Sequence, residues 1–98
     1  MNEITIKDFL KRDKNNLQII DIRENYEYDT GHINSVNIPM GEILNSIQII
    51  NKRKEVIIYC QTGRRAAAVV YMLTKKFKLK NIFNLKGGYS AYLETTLN

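Results

Sequence analysis

The sequence predicts an α/β domain in three layers, with a mainly parallel central sheet flanked by helices. Three observations predict it. Runs rich in β-branched residues at 17–22, 55–59 and 81–85 read as buried strands. Segments with helical spacing alternate with them, the pattern of parallel sheets joined by right-handed crossovers. The 98 residues suit one domain, 1–98, with a single core.

Along the chain, Thr5 reads as the N-cap of a first helix, with Asp8 as a short form of the capping-box acid. Ile4 and Phe9 take the hydrophobic-staple positions, and Ile6, Phe9 and Leu10 form one apolar face. This helix is expected to end near Asp13, because Lys14, Asn15 and Asn16 are turn-like. The strand at 17–22 follows and carries Asp21, Arg23 and Glu24 at its end. Ligands bind at the carboxyl ends of strands in open parallel sheets, so these charges stand where a site would be. An internal brace between Asp21 and Arg23 is the preferred reading over direct catalysis by Asp21.

Residues 24–30 allow about two helical turns. Gly31 follows as a C′ residue with positive φ. His32 is read as a turn holder, since no partner for general-base work lies nearby in sequence. Residues 35–38 read as a short strand stopped by Pro39. In the apolar segment 40–50, Ile43, Leu44 and Ile47 fit a helix face, and residues 51–54 read as a surface loop. A helix over 64–77 is supported by Ala66, Ala67 and Ala68, with Val69, Met72, Leu73 and Phe77 at helical spacing. The small alanines should let its first turn approach the sheet. After the strand at 81–85, Lys86, Gly87 and Gly88 form a turn into a final helix over 89–97.

Composition narrows the function. Apolar residues make up 44% and charged residues 26% of the chain, ordinary for a globular protein. No apolar run approaches the roughly 20 residues of a membrane-spanning helix. The first residues lack the basic and apolar regions of a secretory signal, so the expected location is the cytoplasm. The net charge of +5 favours anionic small substrates or an acidic partner. The chain carries no nucleic-acid motif, so neither nucleic acid nor membrane is an expected partner. The single cysteine excludes an internal disulfide and a multi-cysteine zinc site, and no metal or organic cofactor is implied.

That cysteine lies in Cys60-Gln61-Thr62-Gly63-Arg64-Arg65, between the strand at 55–59 and the helix at 64–77. A loop of this kind must curl tightly, and Gly63 relaxes the bend. Its N–H groups can point inward as a nest for an anion. Arg64, Arg65 and the helix N-terminus all favour an anionic sulfur. The residues therefore suggest a nucleophilic Cys60 rather than a buried spectator, and leave the electrophile open between sulfane sulfur and a phosphate ester.

At these residues the sequence resembles the single-domain rhodanese-like family. Asp21-Ile22-Arg23-Glu24, Glu27-Tyr28 and Gly31-His32-Ile33 are similar to the family's first signature, continued by Asn37-Ile38-Pro39. Residues 60–65 match the loop pattern C-x-x-G-x-R, and Asn84-Leu85-Lys86-Gly87-Gly88 with Ala91-Tyr92 is similar to the closing signature. Ala66, Tyr92 and Gln61 depart from the serine, tryptophan and basic residue common at those places.

The resemblance implies a rhodanese-like fold and a sulfurtransferase. Cys60 would take sulfane sulfur from a donor such as thiosulfate as a persulfide, and a thiol, cyanide or protein thiol partner would remove it. Gln61, Thr62, Gly63, Arg64 and Arg65 would bind the substrate, with Asp21 and Arg23 in support. The loop from Cys60 to Arg65 has the length that the family associates with sulfur transfer. The longer loop of related phosphatases and arsenate reductases ranks those activities lower. A dedicated persulfide carrier and a non-catalytic binding module are the remaining alternatives.

Overall fold

The computed structural model describes residues 2–97; the two end residues of the expected 1–98 domain, Met1 and Asn98, lie outside the described residues. Five parallel strands form one sheet: β1 (Glu3–Ile4), β2 (Leu17–Asp21), β3 (Val36–Asn37), β4 (Glu55–Tyr59) and β5 (Ile82–Leu85), in the order β1-β5-β4-β2-β3. Five α-helices connect and follow them: α1 (Ile6–Lys11), α2 (Asn25–Asp29), α3 (Met40–Ile43), α4 (Arg64–Phe77) and α5 (Gly88–Thr96). This is the α/β class that the alternation of elements predicts, and the sheet is parallel throughout.

The two faces of β4 show how the layers are filled. Val56 and Ile58 point to one side and pack with Ala66, Val69, Val70 and Leu73 of α4 and Ile43 of α3. Ile57 and Tyr59 point to the other and pack with Phe9 of α1 and, beyond it, Tyr89 and Tyr92 of α5. These four β4 side chains are fully buried, as expected of a strand covered on both faces. At the register pair Asp21↔Tyr59, β2 and β4 end side by side, so the segments after both strands emerge at the same sheet edge.

Several boundaries differ from the sequence expectation, each for a local reason. The first helix stops at Lys11: the Arg12 N–H closes its last turn on Phe9 O. Asp13 instead caps a 3-10 turn, Lys14–Asn16, by accepting the Asn15 N–H. Residues 40–50 break into α3 and a second 3-10 turn, Ile47–Ile49. On α4 Val70 is buried together with the expected Val69 and Leu73, while Met72 turns outward at 37% exposure. Among the three alanines Ala66 is buried, Ala67 half-buried and Ala68 exposed, so only the first admits the close approach. Leu10, expected on the apolar face of α1, is 43% exposed. Strand β1 was not anticipated; with two residues it has no readable period, and it forms by pairing Glu3 with Asn84 and Ile4 with Leu85.

Candidate active site

Cys60 follows β4 directly and is almost fully buried. Gly63, the N-cap residue of α4, has a left-handed backbone (φ 96°) and no side chain to satisfy the first turn. The Cys60 sulfur fills that role. Its Sγ accepts the N–H of Gly63 at 3.1 Å and of Ala66 at 3.3 Å. Ala66 is the third helical residue, the position at which an N-cap side chain ordinarily accepts. The thiol is thus aimed at orphan donors on the positive end of a 14-residue helix.

The loop's carbonyls are held from outside. Tyr89 N–H donates to Cys60 O at 2.8 Å and Ser90 N–H to Gln61 O at 3.0 Å, both from the first turn of α5. The Asn84 amide donates to Gly63 O at 3.2 Å. A trans peptide points its N–H opposite to its carbonyl. Fixing these three carbonyls therefore turns the N–H groups of Gln61, Thr62 and Arg64 away from α5 and Asn84. Gly88 makes the approach of α5 feasible: a Cβ there would sit 2.8 Å from Gln61 C and O.

Asp21 and Arg23 pair with each other and reach the loop. The buried Arg23 guanidinium donates through Nε to both Asp21 oxygens at 3.1 and 3.0 Å, and through Nη2 to Oδ2 at 2.8 Å. Its Nη2 also meets Gly31 O at 2.8 Å, and Nη1 meets Gln61 Oε1 at 3.0 Å. Gln61 passes the chain on by donating to Ser90 Oγ at 2.9 Å. The guanidinium carbon lies 4.5 Å from the centre of the Tyr89 ring, in cation–π contact. Burial works against the arginine's charge, but the bonds and attraction from Asp21 outweigh it and raise its affinity for the proton.

Arg65 has a partner that the sequence reading did not assign. Its two terminal nitrogens meet the Glu27 carboxylate at 2.9 and 3.0 Å in a forked pair. The Arg65 hydrogen bonds, working against partial burial, hold the Glu27 carboxyl down at about 2. Glu27 is also the third residue of α2, where its Oε1 accepts the Glu24 N–H as half of a capping box. The E-x-x-E spacing of Glu24 and Glu27 could have signalled the cap, but not the arginine. Arg64 and Thr62 are exposed at the loop, and the Arg64 side chain makes no hydrogen bond or ion pair among the described residues.

His32 holds its turn: Nδ1 lies 2.8 Å from Ile33 O and the ring stacks on Tyr28. Tyr59 reaches the same turn, accepting the Ile33 N–H at 3.1 Å, and burial above all pushes its phenol up beyond the usual range. A cavity of about 530 Å³ lies along α1 and β2, lined in part by Phe9, Leu10, Ile19, Val36 and Tyr92; it contains no residue of the Cys60 loop. Among the described residues no three His, Cys, Asp or Glu side chains gather as a metal-binding set. What the loop does show is one sulfur atom, Cys60 Sγ, accepting two backbone N–H groups at the start of α4.

Comparison with known proteins agrees with the fold. A family model described as a rhodanese-like domain matches residues 5–95. The adenylyltransferase and sulfurtransferase UBA4 of Candida glabrata is 30% identical over 91 residues, covering 82% of this chain and 21% of that protein. A putative sulfur carrier protein of Bacillus subtilis, YrkF, is 33% identical over 89 residues, covering 88% of this chain and 48% of that protein. The chain thus spans less than half the length of either. Among solved structures, a rhodanese-related protein from Thermoplasma volcanium superposes with a TM-score of 0.86 at 29% identity, covering 97% of this chain and 93% of that one.

Proposed function

The chain belongs to the rhodanese-like family, and from that premise we propose that it transfers sulfane sulfur through a persulfide on Cys60. The observation that carries this reading is the sulfur itself: Sγ accepts two backbone N–H groups at the N-terminus of α4. A hydrogen bond to a charged group contributes about 1.5–3 kcal/mol, so the two donors stabilise negative charge on this sulfur whenever it attacks or leaves. The thiolate attacks the outer sulfur of a donor such as thiosulfate. The donor's S–S bond breaks, its leaving group departs with the electron pair, and Cys60 keeps the sulfur. A thiolate or cyanide then attacks that outer sulfur and restores Cys60.

In this reading the backbone N–H groups of Gln61 to Arg65 cradle the transferred atom. Gln61, Thr62, Gly63, Arg64 and Arg65 surround it, while Asp21 and Arg23 keep the loop in shape. The acceptor supplies its own thiol or is a small nucleophile, because Cys60 is the chain's single cysteine. No helix of the described residues is long and apolar enough to cross a membrane. We place the activity in the cytoplasm, where a free thiol stays reduced. The sulfur carrier among the relatives supports a second form of the same reading, transfer to one dedicated protein partner.

Intact-mass spectrometry after incubation with sulfane donors tests the proposal. One added sulfur atom is expected on the wild-type protein and none on Cys60→Ser. A wild-type protein that never gains sulfur from any such donor would overturn it. Release of phosphate from an aryl phosphate, lost in Cys60→Ser, would point to the phosphatase chemistry instead.

A further inference from the structure

We infer that Glu27 determines donor specificity, by neutralising Arg65, and that the preferred donor is a hydropersulfide of a thiol rather than the thiosulfate dianion. The inference rests on the sulfur-transfer reading above. It follows from the charges around the loop. Arg23 is buried against Asp21 and also donates to Gly31 O and Gln61 Oε1. Arg65, which lies within electrostatic reach of Cys60, gives both terminal nitrogens to Glu27. Arg64 is the one loop arginine without a partner among the described residues, and it stands in solvent, where its charge is screened. Gln61, next to the cysteine, adds no charge and has its amide tied at both ends.

A thiosulfate dianion would therefore bring two negative charges beside a thiolate and meet one free cation. A hydropersulfide brings at most one. The step balances without another reactant. The Cys60 thiolate attacks the outer sulfur of R–S–SH, the donor S–S bond breaks, RS⁻ leaves, and the proton remains on the sulfur now bonded to Cys60.

The test is the ratio of two loading rates on Cys60, from cysteine hydropersulfide and from thiosulfate, read by intact-mass spectrometry at fixed ionic strength. The wild-type protein should load about tenfold or more faster from the hydropersulfide. Glu27→Gln frees the Arg65 guanidinium and should narrow that ratio severalfold. Arg64→Ala removes an exposed, unpartnered side chain that the fold does not need, and should widen it. A merely structural role for Glu27 would slow both donors alike and leave the ratio unchanged, which would overturn the inference. So would wild-type loading from thiosulfate as fast as from the hydropersulfide, a result that leaves the sulfur-transfer reading standing. Loading from neither donor would remove both.

Discussion

At the scale of single residues, Gly88 has the sharpest requirement. Its φ of 62° suits glycine, and any Cβ would press on the Gln61 peptide. Gly88→Ala must push α5 off the loop or strain the turn, and either stretches the bonds from Tyr89 and Ser90. We expect a loss of about 2 kcal/mol or more, read from the denaturant midpoint. Sulfur loading should fall in the folded fraction as well, because the loop carbonyls lose their hold. The sequence marks Gly87 and Gly88 as a turn, yet the contact of Gly88 with residue 61 depends on a segment distant in the chain. The same distance hides Glu27 and Arg65 from one another across 38 positions. Asp21 and Arg23 are two apart, so their pairing is readable from the chain alone.

At the scale of elements, α4 has a glycine at its N-cap and borrows its cap acceptor from Cys60, the residue after β4. Cys60 therefore has a structural part in addition to the chemical one proposed for it. Cys60→Ala should cost about 1 kcal/mol of stability, the usual loss when a cap acceptor is removed, measured by urea unfolding. A midpoint unchanged from wild type would show that the two N–H groups find other partners. The span of α4 was legible because its apolar spacing runs over 14 residues and nothing breaks it. Its phase was less so: Val70 and Met72 are both apolar, and packing against β4 and β5 chooses the first. Strand β1 lies at the opposite extreme, since its two residues are defined by their partner and not by a pattern of their own, whereas the equally short β3 was marked by the Pro39 that follows it.

At the scale of the molecule, charge pairs between segments distant in sequence couple stability to pH. Glu27 is held at about 2 in the folded state against an ordinary value of 4.5. Below 4.5 the unfolded chain takes up a proton that the folded protein refuses, so stability falls with pH in that window. The contribution of the Glu27–Arg65 pair is complete above about 4.5 and vanishes as pH drops toward 2. Glu27→Gln should accordingly flatten the acid limb of a stability–pH curve between those values while the rest of the curve keeps its shape. An acid limb identical to that of wild type would show that Arg65 exerts no net pull on Glu27 in solution. Alternation of strands and helices made the layered fold legible in the chain, because each element fills a face of the sheet. The order of strands was not, since β1, first in the chain, lies beside β5, the last.

That closure imposes an order on synthesis. Cys60, its strand and the helix that follows are made well before the residues that restrain the loop. The Asn84 amide, the glycine turn and the N–H groups of Tyr89 and Ser90 come last, together with the partner that β1 has been waiting for. A nascent chain shorter than about 90 residues therefore carries the thiol without the frame that orients its peptides, and each added non-local contact slows completion. The frame around the Cys60 sulfur is thus complete only when the domain finishes folding, and an incomplete or clipped chain presents that sulfur without it.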